Sequence, residues 1–140
     1  MTKPESNKLM KKKILLVEDE QDIISVFNMV FEEGGYEVDC FTDPVLALRN
    51  FRPSSYDLVI LDIKMPEMDG FELRRQIKKI DNAAKVCFLT ASELYYEEFR
   101  KELGLEEPVI DKDLFLRKPI QNEELIKEIT RIINSNYNNR

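Results

Sequence analysis

Blocks of consecutive apolar residues alternate along this chain with stretches in which apolar residues return every three or four positions. The first block, Ile14-Leu15-Leu16-Val17, stops at Glu18-Asp19-Glu20. Ile23, Val26, Phe27 and Val30 then recur at helical spacing, and Gly34-Gly35 ends that helix. Residues 36–41 alternate apolar and polar, as a half-exposed strand does. Asp43-Pro44 signals a second helix with proline at its first position; Val45, Leu48 and Phe51 carry it to the break at Pro53-Ser54-Ser55.

The second half repeats the theme. Leu58-Val59-Ile60-Leu61 ends abruptly on Asp62. Turn signals at Met65-Pro66 and Asp69-Gly70 lead into a helix over 70–80, with Leu73, Ile77 and Ile80 expected on one face. Val86-Cys87-Phe88-Leu89 ends in Thr90. Ser92 is placed to cap a helix holding Tyr95, Tyr96, Phe99 and Leu103, with Gly104 at its end. Leu114-Phe115-Leu116 leads to Lys118-Pro119, and Asn122 is expected to cap a last helix with Leu125, Ile129, Ile132 and Ile133 inward.

Five strand-then-helix units predict an α/β fold: a doubly wound, five-stranded parallel sheet with helices on both faces. The first, third and fourth strands are almost wholly apolar, as strands covered on both faces should be. Right-handed crossovers bring every strand's C-terminal end to one edge. Residues 1–10 read as a flexible leader, 11–135 as one domain and 136–140 as a frayed tail. The small basic cluster Lys8, Lys11, Lys12 and Lys13 reads as a solvated approach to the first strand. No linker to a second domain is expected, and hence no DNA-binding or enzymatic output unit.

Composition narrows the chemistry. The 140 residues carry a net charge of −6, which argues against a general nucleic-acid-binding surface. No apolar run approaches the roughly 18 residues of a membrane span, and no signal peptide precedes the first strand. Cys40 and Cys87 lack metal-ligand spacing and are expected to be buried thiols in a reducing compartment, which for this chain means the cytoplasm. There is no histidine, so histidine acid–base catalysis and a Ser-His-Asp triad are excluded.

What remains is a set of polar residues at strand ends: Glu18 and Asp19 after the first, Asp62 after the third, Thr90 after the fourth and Lys118 after the fifth. Singly, each is most often a turn, capping or solvated residue. Together they fall on one rim, where doubly wound sheets bind ligands. Two like charges about 4 Å apart repel by about 4 kcal/mol at an effective dielectric near 20. Three carboxylates on that rim therefore need positive charge: Lys118, and a hard divalent cation suited to oxygen ligands, Mg²⁺ above all. A carboxylate beside such an ion can become an aspartyl phosphate without a general base.

The motifs ILLVEDE, LVILDIKMPEMDG, FLTAS and FLRKP, in this order, resemble the response-regulator receiver domain of two-component signalling. The resemblance runs over about 12–133. It implies the flavodoxin-like strand order 2-1-3-4-5, with Asp62 accepting phosphate from the phosphohistidine of a sensor histidine kinase or phosphotransfer protein. It implies that Glu18, Asp19, Asp62 and the backbone carbonyl of Lys64 hold Mg²⁺, with Mn²⁺ able to substitute. Thr90 and Phe115 match the switch residues and Lys118 the phosphoryl counter-ion, with Lys118–Pro119 a site for a cis peptide. Lys64 and Ser92 stand at positions that line the path of attacking water and so set the phosphoryl lifetime. The downstream partner is expected on the face formed by the fourth predicted helix, the fifth strand and the last helix.

There are departures from the family pattern. The acidic pair is Glu-Asp where Asp-Asp is common, and the segment before Phe115 is lengthened around 104–113. Two other readings stand beside the phosphorelay. One is a degenerate receiver that binds partners without phosphorylation. The other is an aspartyl-phosphate phosphatase, against which Lys64 stands where such enzymes carry a second acid–base aspartate.

Overall fold

The computed structural model describes residues 11–90, 115–117 and 121–135. Strands β1 (Lys13–Val17), β2 (Glu37–Phe41), β3 (Leu58–Asp62), β4 (Val86–Thr90) and β5 (Phe115–Arg117) pair in parallel in the order β2-β1-β3-β4-β5. Between and after them lie α1 (Gln21–Glu33), α2 (Pro44–Asn50), α3 (Gly70–Ile80) and α4 (Asn122–Asn134). The helix expected after Ser92 falls outside the described residues, as do Lys118 and Pro119.

The continuous apolar strands have a two-sided explanation. Successive side chains of a strand point to opposite faces. Ile14, Leu16, Leu58, Ile60, Cys87 and Leu89 pack with Ile24, Phe27 and Phe31 of α1 and with Leu125, Ile129 and Ile132 of α4. Leu15, Val17, Val59, Leu61, Val86 and Phe88 pack on the other side with Ala47, Phe71, Leu73 and Ile77. Each fully buried Leu, Ile or Phe contributes about 1.5–3 kcal/mol. Strand β2 lies at the sheet edge and is only partly covered, which accounts for its alternation.

Several local expectations need correction. The buried stripe of α1 is Ile24, Phe27, Val30 and Phe31; Ile23 is half-buried and Val26 is 50% exposed. Apolar residues on that helix are more numerous than its buried face can hold, so spacing alone does not choose among them. Ile80 ends α3 beyond the sheet and is 42% exposed. Phe51 is buried but caps α2 rather than extending it. The residue preceding α4 is Gln121, with no side-chain cap, and Asn122 is already helical. Cys87 is fully buried, whereas Cys40, on the edge strand, is half-buried, its thiol directed at Asn28 Oδ1 at 3.6 Å.

Other signals hold. The Asp43 carboxylate accepts from the Val45 and Leu46 amides, with Pro44 at the first turn of α2. Gly34 ends α1, and Gly35 takes a φ of +93°, a conformation that costs a side-chain-bearing residue.

Candidate functional site

The strand register assembles the acidic cluster. Val17 pairs with Leu61, so the next residues along, Glu18 and Asp62, emerge side by side from the C-terminal edge. The Glu18 amide donates to the Phe41 carbonyl at 3.1 Å, extending the sheet ladder one residue past β1. Asp62 pairs with Leu89, which places Thr90 one step farther along β4, opposite Arg117 of β5. Of the predicted strand-end positions, Glu18, Asp62 and Thr90 thus share one edge. Lys118 and Ser92 lie outside the described residues.

Glu18, Asp19 and Asp62 each bring a carboxylate oxygen within 4.8 Å of the others. Glu18 is 1% exposed, Asp62 is 8% exposed, and Asp19 is half-buried. Among the described residues, Glu18 and Asp62 are the buried charged side chains, and they stand together. Bringing like charges this close costs about 3.5 kcal/mol or more per pair at an effective dielectric near 20. The donor set is all oxygen, and it fits a hard divalent cation better than a soft one.

Backbone amides hold two of the carboxylates in place. The Ile63 amide donates to Asp62 Oδ1 at 3.0 Å, and the Glu20 amide donates to Glu18 Oε2 at 3.2 Å. Sequence reasoning missed both, because a backbone donor has no residue signature. The longer Glu18 side chain, where aspartate is commoner, curls back onto its own turn to reach the Glu20 amide.

The loop from β3 to α3 carries the next part of the site. Ile63 and Met65 turn into the core at 3% and 8% exposure, leaving Lys64 on the surface. Pro66 accepts from the Met68 amide at 2.8 Å, and Glu67 between them sits at φ +73°. The Gly70 amide returns to the Ile63 carbonyl at 2.8 Å, closing the loop on itself. Asp69 then caps α3 by accepting from Glu72 at 2.9 Å.

No helix among the described residues is long and apolar enough to cross a membrane. A small cavity of about 150 Å³ opens beside this loop, lined by Thr42, Asp43, Pro44, Pro66 and Glu67. A larger groove of about 490 Å³ runs between α1 and α4, away from the acidic edge, past Val30, Gly34, Ile126 and Thr130.

Comparison with known proteins agrees with this architecture. The family model described as "Response regulator receiver domain" matches residues 14–130. The chain is 33% identical over 124 residues to the alkaline phosphatase synthesis transcriptional regulatory protein PhoP of Bacillus subtilis, covering 89% of this chain and 49% of that protein. It thus spans about half the length of that relative. It is 38% identical over 97 residues to sporulation initiation phosphotransferase F of Bacillus subtilis, covering 69% of this chain and 78% of the relative. Among solved structures, the receiver domain of a sensor histidine kinase from Pseudomonas aeruginosa PAO1 superposes with a TM-score of 0.67 at 25% identity, covering 89% of this chain and 99% of that one. That structure has a magnesium ion coordinated in its active site cleft. With its sheet order, its acidic edge and its matched span, the chain belongs to the response regulator receiver domain family of two-component systems.

Proposed function

We propose that this domain is a phosphorylation-controlled switch whose acceptor is Asp62. The observation that carries the reading is the packing of three carboxylates, Glu18, Asp19 and Asp62, within 4.8 Å on the edge where α/β sheets bind ligands. Receiver domains as a family are phospho-acceptor switches rather than conventional enzymes, and the proposal assigns that chemistry to named residues here.

Glu18, Asp19 and Asp62, with the backbone carbonyl of Lys64, would hold Mg²⁺, or Mn²⁺ in its place. Bound there, such an ion would offset the carboxylate charge and would act as a Lewis acid toward the phosphoryl group. The chain's own contribution is orientation. Asp62 Oδ1 is steadied by the Ile63 amide, so the carboxylate is presented in one pose. An Asp62 oxygen attacks the phosphorus of a partner's phosphohistidine. The new P–O bond forms as the N–P bond breaks, and the bonding pair returns to the imidazole nitrogen. Lys118 neutralises a second phosphoryl oxygen and the Thr90 hydroxyl meets the third. The hydroxyl's movement toward the phosphoryl group frees room for Phe115 to turn inward, which biases the outer face between two states. Lys64 and Ser92 set how readily water reaches the acyl phosphate.

The donor in this proposal is a sensor histidine kinase or a phosphotransfer protein. The response is read by a protein partner on the face formed by the fourth predicted helix, β5 and α4, in the cytoplasm, without direct DNA contact by this domain. The similarity to sporulation initiation phosphotransferase F favours a relay role. The test is incubation of the chain with a small phosphodonor and Mg²⁺, followed by intact-mass measurement. One phosphoryl group is expected on the wild type and none on Asp62→Asn. Equal labelling of the two would overturn the assignment.

A further inference from the structure

Among the described glycines, Gly35 alone takes a positive φ, so Gly70 is not required by backbone twist. It is required by contact. A Cβ on Gly70 would overlap the carbonyl oxygen of Asp62 and stand 3.0 Å from Ile63 Cα and 3.1 Å from the Asp62 carbonyl carbon. These are backbone atoms, which cannot swing aside as a side-chain tip can.

Nor can the helix retreat. The Gly70 amide is bonded to the Ile63 carbonyl, and the Asp69 side chain caps the same turn. Phe71 packs against Phe88 with ring centroids 5.2 Å apart, and Leu73 is fully buried. The relief must come from the Asp62–Ile63 peptide. That peptide carries the N–H that fixes Asp62 Oδ1, and the chain it begins leads directly to Lys64.

We propose that Gly70 is a positioning residue for the phosphoryl site: its missing side chain lets α3 begin against the Asp62–Ile63 peptide and so sets the pose of the Asp62 carboxylate and the Lys64 carbonyl. This rests on the phosphoryl-site reading of Asp62. Gly70 touches no substrate; it acts through the peptide it abuts.

The experiment is calorimetric titration of the full chain with MgCl₂ alone, on wild type, Gly70→Ala and Gly34→Ala. Urea unfolding of each measures the folded fraction. Gly34→Ala is the packing control, because its Cβ would press on Ile126 Cδ1 at 2.7 Å, the movable end of a side chain far from the acidic edge. Folded Gly70→Ala is expected to bind Mg²⁺ about 10- to 100-fold more weakly, as loss of groups that orient metal ligands does. Gly34→Ala is expected to lose stability but keep wild-type affinity. If Gly70→Ala is partly unfolded, the three proteins are compared in trimethylamine N-oxide, which favours the compact state. Wild-type affinity in folded Gly70→Ala overturns the inference and leaves the phosphoryl site standing. A wild type that binds no Mg²⁺ overturns the phosphoryl site itself.

Discussion

Glu18 and Asp62 leave adjoining strands one residue past the Val17–Leu61 pair, and both are almost excluded from water. Asp19 completes the cluster from a half-buried position. In chelator, removing the Asp19 charge relieves repulsion, so Asp19→Asn is expected to raise unfolding stability by about 1 kcal/mol after solvent screening. Mg²⁺ should reverse the order. A ligand at about 100 times its Kd stabilises the native state by about 2.7 kcal/mol, and the wild type should gain more of that than the variant. Thermal melts with chelator and with MgCl₂ check both halves. A variant less stable than wild type in chelator would contradict the electrostatic account.

Glu67 adopts φ +73° in the loop after Asp62, where a residue with a Cβ costs about 1–2 kcal/mol. Glycine removes that cost but adds freedom to the unfolded chain, about 0.4–1 kcal/mol in the other direction. The net expectation for Glu67→Gly is a gain of about 0.5 kcal/mol. Urea denaturation measures it, and a clear loss of stability would show that the glutamate side chain makes a compensating contact.

The strands and the acidic edge were legible because both depend on pattern. Ile14 through Val17 and Leu58 through Leu61 are apolar at every position, and only a sheet covered on both faces requires that. Once parallel order is granted, Glu18 and Asp62 meet, since each follows its strand's last core residue, and Asp19 comes one residue later. Helix faces were less legible. In α1, Ile23, Ile24, Val26, Phe27, Met29, Val30 and Phe31 offer more than one apolar stripe, and the sheet selects Ile24, Phe27, Val30 and Phe31. Backbone roles were not legible at all. The Ile63 and Glu20 amides that hold the carboxylates, and the near-contact of Gly70 with the Asp62 carbonyl, exist only in three dimensions.

Lys85 shows the same limit far from the site. Its ammonium donates to the carbonyls of Ile132, Ile133 and Ser135 at 3.1, 2.8 and 2.8 Å, tying the start of β4 to the end of α4. The Ile132 carbonyl also accepts from the Ser135 amide at 3.2 Å and the Ser135 hydroxyl at 3.0 Å, and all three carbonyls stand at the C-terminal end of α4, where the helix dipole is negative. Lys85→Met keeps the apolar stem and removes the donors. It is expected to cost about 2 kcal/mol, in the range for a hydrogen-bonded charge. Amide exchange in the final turn of α4 should rise more than in α1. Uniform exchange would mean that the clamp is not local.

The two thiols provide a pH test. Burial pushes Cys87 from the ordinary 9.0 to about 12, and burial, with Asp39 and Glu32 nearby, pushes Cys40 to about 11. The folded state therefore keeps these protons after the unfolded chain would release them. The resulting stabilisation is full below about pH 9 and is lost as pH rises through the folded values, so stability should fall between about pH 9 and 12. Alkylation follows the thiolate. At pH 8 native Cys40 should react slowly, although it is half-exposed, and Cys87 should not react until the protein unfolds. Peptide mapping after timed iodoacetamide treatment, with and without urea, separates the two. Rapid native labelling of Cys87 would contradict its complete burial beneath α1 and α4.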